Sequence, residues 1–270
     1  MSDNYHDNNG HGTAIAGIAS AVINDQGIAG VAPKADIYAV KIMNDSSGYL
    51  SEAIAGIEWA MENNMDIISM SFGVEEYSTI FEEIINEAYE KGIILIGATG
   101  NNGENKILYP AKYPQVIAVG AIDKENNKAI FSNYGNGLEL VAPGMDIYST
   151  YLNNEYITKS GTSFAVPHVA GITALIKSYT NKDSNKIRFI LRNISLDLGD
   201  NGFDNSYGYG MAVINIIKID EISNMIENIT IIRLNETEGE GDNIFVLSVG
   251  EESTLDVIGG TNNAPVLNNL

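Results

Sequence analysis

Short apolar runs alternate with longer amphipathic stretches along most of this chain. "DIYAVKIM" (36–43), "DIISMSF" (66–72), "GIILIGA" (92–98) and "VIAVGAI" (116–122) carry few charges and are too short for globular helices. That pattern predicts strands covered on both faces. Residues 49–64 ("YLSEAIAGIEWAMENN") and 79–91 ("TIFEEIINEAYEK") are predicted helices, the second with acids early and a lysine at its end, as the helix dipole favours. Strands alternating with helices need crossover connections, so the expected fold is α/β with a mainly parallel sheet.

The pattern changes near residue 220. From Asp220 to Leu270 there are ten acids and one base, Arg233, and "ETEGEGD" (236–242) has the composition of a solvated linker. Two stretches beyond it, "NIFVLSV" and "STLDVIG", read as β-strands. Two readings of this region stay open: the start of a small β domain, or an acidic tail, since about three strands with a covered face are needed for independent stability. The expected division is residues 1–219 and residues 220–270.

Composition narrows the partners. A chain of 270 residues with 44% hydrophobic content can bury a sizeable core, but its formal charge of −20 repels nucleic acid and anionic membrane surfaces. No cysteine is present, which excludes disulfides, thiolate zinc sites and cysteine nucleophiles. No run reaches the roughly 18 to 20 apolar residues of a membrane span, and "MSDNYHDNNG" at the start is polar. As written, the chain is expected to carry neither anchor nor export signal.

Three stretches hold candidate chemistry: "NNGHGTAIAG" (8–17), "GATGNNG" (97–103) and "SGTSFAVPHVAG" (160–171). Singly each has a bland reading, with His11 structural, Asn101 a turn residue and Ser163 a helix cap. Together they offer what acyl transfer by serine needs: a hydroxyl, a base to take its proton, and donors for the oxyanion. A serine in the first turn of a helix of small residues lies near a positive dipole end and free N–H groups. Asn101, just after an apolar strand end, can aim its amide at the same mouth of the sheet, where ligands of such sheets bind.

In family order and spacing, "GHGTAIAG", "GIAGVAP", "GIEWA", "DIISMSFG", "GATGNNG", "YPAKYPQVIAVGAID", "FSNYGNGLELVAPG" and "GTSFAVPHVAG" resemble the subtilisin-like serine proteases, the subtilases. The resemblance runs from about residue 4 to about residue 218. It implies His11 as general base, Ser163 as nucleophile, and Asn101 with the Ser163 N–H as oxyanion donors. The fold it implies is a three-layer α/β sandwich.

The family's triad aspartate lies on a central strand before the histidine, and the only acids preceding His11 are Asp3 and Asp7. Asp7 matches a family position at the cleft rim, not the triad acid. The expectation is therefore an N-terminally incomplete subtilase with Met1 an internal start, impaired in turnover. A gap is expected between the strands placed at 36–42 and 67–71.

By resemblance a peptide substrate lies between "SSGYL" (46–50) and "SFGVE" (71–75) as an added strand. The residues implied around it are Gly48, Ser71, Phe72, Gly73, Ala98, Gly100 and Leu108. Leu108 is expected to shorten the first specificity pocket and to favour small or medium apolar side chains. The loop "VINDQGIAGVAP" (22–33) matches the family's calcium loop, with Asn24 giving a side-chain oxygen and Val22, Gln26 and Ile28 backbone carbonyls. Such a site is incomplete here, and a plain polar turn is the other reading. His168, five residues past Ser163, is expected to be structural, and His6 to be exposed.

The sequence thus points to a monomeric serine endopeptidase domain acting on polypeptides without an organic cofactor. The rival reading is a pseudoprotease that binds peptides or a partner protease, and a third makes the acidic tail the mark of a surface-assembly protein. Secretion or a cell-surface location is expected, with a cytoplasmic location as the alternative.

Overall fold

The chain, described in a computed structural model at residues 6–43, 47–227, 229–233 and 245–249, divides into two units, Met1–Asn215 and Ile216–Leu270. In the first unit the order is α1 (His11–Ser20), α2 (Leu50–Glu62), β1 (Ile67–Met70), α3 (Thr79–Glu90), β2 (Ile94–Ala98), β3 (Val116–Ile122) and β4 (Leu140–Pro143). A hairpin follows, β5 (Ile147–Thr150) and β6 (Tyr156–Lys159), then α4 (Thr162–Thr180) and α5 (Ser184–Ile194).

The strands β1-β2-β3-β4 form a parallel sheet in that order, with Ile67 paired to Ile94, Leu95 to Val116 and Val119 to Leu140. Every residue of β2 and β3 is buried, as the unbroken apolar runs require of strands covered on both sides. Ala53, Ile57 and Met61 of α2 and Phe81, Ile84, Ile85 and Ala88 of α3 share an apolar cluster with Met70, Leu95 and Val116. Helix α4 contacts all four strands and α1. Its sequence suits that place: Val166, Val169, Ala170, Ile172 and Ile176 are all buried.

An ion cluster around buried Glu139 ties α5 to the sheet. Glu139, 4% exposed, accepts hydrogen bonds from Arg188 Nε at 2.9 Å and from Arg192 Nε at 2.8 Å. Arg188 also donates to the carbonyls of Pro114 at 2.8 Å and Val116 at 3.3 Å.

Residues 36–43 are not a strand, which corrects the reading of the apolar run. A strand exists only with a neighbour to take its backbone bonds, and β1 is the edge of the four-stranded sheet among the described residues. Ile37 and Tyr38 stay half exposed, while Ile42 packs against the α2 and α3 cluster. The segment is held by side chains rather than by a ladder.

The second unit contains α6 (Ile216–Glu227) and an antiparallel pair, β7 (Ile229–Arg233) and β8 (Phe245–Val249), in which Ile229 faces Val249 and Arg233 faces Phe245. The strand at 245–249 falls inside the expected "NIFVLSV", whereas its partner at 229–233 is a strand that the sequence pattern does not predict. The expected linker at 236–242 and strand "STLDVIG" lie outside the described residues.

Candidate functional site

The carboxyl ends of β1 and β2 and the first turn of α4 meet at one place. Ser71 follows β1 directly and Asn101 comes three residues after β2, while Gly161 is the N-cap of α4. Ser163 is therefore the second residue of the helix, and its N–H has no intrahelical acceptor.

Two hydrogen bonds fix the Asn101 carboxamide. Its Oδ1 accepts from the Thr162 backbone N–H at 2.8 Å and from Thr162 Oγ1 at 2.9 Å. Because a backbone N–H can only donate, the atom facing it must be the carboxamide oxygen. The amino group is thereby turned the other way, near Gly161, where a β-carbon would lie 3.5 Å from Nδ2.

Ser163 and Ser71 bond to each other reciprocally. Ser163 Oγ donates to the Ser71 carbonyl at 3.2 Å, and Ser71 Oγ donates to the Ser163 carbonyl at 2.9 Å. The hydroxyl of Ser163 thus rests on the cleft wall.

His11 opens α1, behind Gly10 in the left-handed region at φ 80°. The turn before it is organised by Asp7, whose Oδ1 accepts from the N–H groups of Asn9 and Gly10 and whose Oδ2 accepts from Thr13 N and Oγ1. The imidazole meets the Phe164 ring edge to face at 5.8 Å between centroids, which sets it beside the residue after Ser163. Loss of hydration among the groups packed around the ring disfavours the imidazolium and lowers the His11 pKa from its ordinary 6.5, with the Asp7 charge opposing in part. Among the described residues no carboxylate hydrogen-bonds the ring. The Asp7 carboxyl is itself held below its ordinary range: burial raises it, and the bonds from Thr13, Gly10 and Asn9 outweigh that.

Of the implied cleft residues, the structure brings Gly73, Gly100 and Leu108 together. A β-carbon would come within 3.0 Å of Leu108 Cβ at Gly73, and within 2.9 Å of Leu108 Cδ1 at Gly100. Ala98 is buried beneath them. Phe72 packs against the apolar cluster below, and Val74 is already paired through its backbone to Tyr109 at 2.8 and 2.9 Å. Gly48 lies against Ile42 and Met43 instead, and Ser46 is outside the described residues.

The loop holding Val22, Asn24, Gln26 and Ile28 is exposed, and Asn24 Oδ1 already accepts from Gln26 N–H at 3.2 Å. Its four oxygens fall short of the roughly six to eight that calcium takes, so these residues alone do not fit the ion. His168 donates from Nδ1 to the Phe164 carbonyl at 2.9 Å, and burial lowers its pKa despite that bond. The His6 carbonyl accepts from Lys41 Nζ at 2.8 Å, and Asp3 lies outside the described residues.

Sequence reasoning missed the residues that orient the others. Thr162 stood inside "GTSFAVPHVAG" without a role, although a β-hydroxyl next to the serine was there to be read. Buried Asn133, in "FSNYGNG", accepts from the N–H groups of Asn102 at 2.9 Å and Glu104 at 3.2 Å and so shapes the loop after Asn101. Beyond His11, the structure adds a hollow lined by Tyr151, Ile157 and Lys159 that no local motif marked.

The sequence profile of the subtilase family matches residues 1–210. The chain is 47% identical over 210 residues to a thermostable alkaline protease of Halalkalibacterium halodurans, covering 77% of this chain and 57% of that protein. It is 45% identical over 216 residues to subtilisin DY of Bacillus licheniformis, covering 78% and 77%. It is also 45% identical over 213 residues to the minor extracellular protease Epr of Bacillus subtilis, covering 78% and 33%. The match thus spans little more than half of the first relative's length and a third of the last one's. No described helix is long and apolar enough to cross a membrane.

Proposed function

The chain belongs to the subtilase family, and on that premise we propose that it is a serine endopeptidase domain cleaving polypeptides through an acyl-enzyme on Ser163. The observation that carries this reading is the Asn101 carboxamide, locked by Thr162 with its amino group turned toward the turn that bears Ser163.

In the proposed reaction Ser163 Oγ leaves the Ser71 carbonyl, passes its proton to His11 and attacks the substrate carbonyl carbon. Asn101 Nδ2 and the Ser163 N–H then donate to the oxyanion, two fixed donors where charge develops. His11 returns the proton to the departing amine, and water repeats the sequence to free the acid. A depressed His11 pKa keeps the imidazole neutral near pH 7, as a base must be.

No carboxylate among the described residues steadies the His11 ring. In subtilisin, loss of the triad aspartate alone lowers kcat by about 3 × 10⁴. The 270-residue chain by itself is therefore expected to acylate slowly, and an added segment that supplies the carboxylate is expected to raise the rate. We assign the activity to residues 1–219 and secretion as its setting, in keeping with the extracellular relative.

A fluorophosphonate probe tests the reading. The expected result is an adduct mapped to Ser163 that is lost in Ser163→Ala. The second reading, a peptide-binding pseudoprotease, is favoured by the Ser163 hydroxyl resting on Ser71 rather than on His11. Peptide binding without any adduct on Ser163, even after prolonged labelling, would establish it instead.

A further inference from the structure

We propose that Lys159 makes the hollow beside His11 a subsite for an acidic side chain, carried by the substrate residue that follows the scissile bond. This rests on the reading of the chain as a serine peptidase and adds a substrate class to it.

The hollow has a volume of about 250 Å³ and is lined by Asn9, Gly10, His11, Ala14, Tyr151, Ile157, Lys159 and Phe164. It is a built surface rather than a gap between loops. The Tyr151 ring closes over Gly10, where any β-carbon would overlap it, and the Tyr151 hydroxyl donates to the Asn9 carbonyl at 2.8 Å. Lys159 ends β6 and is paired in register with Ile147, so the lysine springs from a bonded strand. Ala14, Ile157 and Phe164 offer apolar contact to methylene groups, and Lys159 is the one basic residue among the lining other than His11.

Charge makes the site selective. In a chain of net charge −20, Lys159 forms no ion pair among the described residues, and no carboxylate lines the hollow. The nearest carboxylate by sequence to His11, that of Asp7, is already occupied by Asn9, Gly10 and Thr13. An ammonium with no ion-pair partner among the described residues of a strongly acidic chain suits a carboxylate brought by a ligand.

Direction follows from the chemistry. The imidazolium must deliver its proton to the departing nitrogen, so the residue bearing that nitrogen lies on the His11 side. His11 lines this hollow, whereas Ser71, Gly73, Gly100, Asn101 and Leu108 do not. The two sides of the scissile bond therefore meet different walls, and the His11 wall carries the lysine.

The test uses the 270-residue chain with Lys159→Gln and Lys159→Glu. Each is acylated with a p-nitrophenyl ester of a short blocked peptide, and the acyl-enzyme is partitioned between water and dipeptide amides beginning with Glu, Gln or Lys. Within the parent chain Glu is expected to exceed Gln about fivefold, the span of a partly exposed ion pair, and to lose that margin at high salt. Lys159→Gln is expected to equalise Glu and Gln, and Lys159→Glu to favour Lys. An unchanged Glu-to-Gln ratio in Lys159→Gln overturns the proposal. Absence of p-nitrophenol release would instead count against the peptidase reading. The same dipeptide amides titrated by NMR then give Kd ratios that decide the role of Lys159 separately.

Discussion

Thr162 grips Asn101 from two atoms, its backbone N–H at 2.8 Å and its Oγ1 at 2.9 Å, both on Oδ1. Removing the carboxamide and removing only one grip should differ in size. Asn101→Leu is expected to slow acylation of Ser163 by about 10² to 10³, the loss typical of one oxyanion donor. Thr162→Val keeps the backbone bond and deletes the other, so a loss of a few fold and about 1 kcal/mol of stability is expected. Burst kinetics with an activated ester and urea unfolding measure the two effects.

The acid limb of the pH profile should belong to His11. Its pKa lies below the ordinary 6.5, so Ser163 labelling is expected to rise through a midpoint below that value. Asp7→Asn removes the charge that opposes the shift, and the midpoint should fall further. Labelling rates between pH 4 and 8 decide this; an unshifted midpoint in Asp7→Asn would refute the electrostatic part.

Stability should fall on the acid side for the same reason. For His11 and His168 the folded pKa lies below the unfolded one, so between the two values the unfolded chain binds the extra proton. Stability is therefore full above about pH 6.5 and declines as pH drops toward the folded values. Asp7, also depressed, adds a contribution present above its ordinary 3.8 and lost as pH falls through its folded value. Unfolding midpoints in urea at pH 8, 6 and 4 should decrease in that order.

Glu139→Ala is expected to cost about 2 to 3 kcal/mol, between the loss for an exposed and for a buried ion pair, because it leaves the partly exposed Arg188 and Arg192 without their carboxylate. Changing all three residues to apolar ones of similar volume should recover most of that. Chemical denaturation of both variants provides the comparison.

Leu108 stands where Gly73 and Gly100 converge, and on the proposed peptidase reading its size is expected to set the depth of the first specificity pocket. Leu108→Ala should move cleavage preference from small or medium apolar residues toward Phe and Tyr. A peptide library read by mass spectrometry reports the shift, and a parent preference for large aromatics would contradict it.

The centre of the fold could be read because its signals are local. Residues 94–98 and 116–122 are apolar at every position, and that is the mark of a strand hidden on both faces. Residues 36–43 are apolar apart from Asp36 and Lys41, yet whether they pair depends on a neighbour that no local pattern specifies. Helix α5 was legible and overlooked: Ile187, Ile190, Leu191 and Ile194 recur at helical spacing and are all buried. The His11, Asn101 and Ser163 stretches were legible through motif order. The grip of Thr162 joins residues 61 positions apart, the Ser71 bonds join residues 92 apart, and the hollow at Lys159 brings Asn9 to Phe164; such pairings appear only once the chain is folded.

On the proposed acyl-enzyme reading, the reciprocal pair between Ser71 and Ser163 is expected to give covalent chemistry a mechanical effect. An acyl group on Oγ replaces the proton that Ser163 donates to the Ser71 carbonyl, so one strap between helix and rim is cut while the other, from Ser71 Oγ, remains. The acylated protein is therefore expected to have a slacker rim than the unmodified one, with deacylation tightening it again.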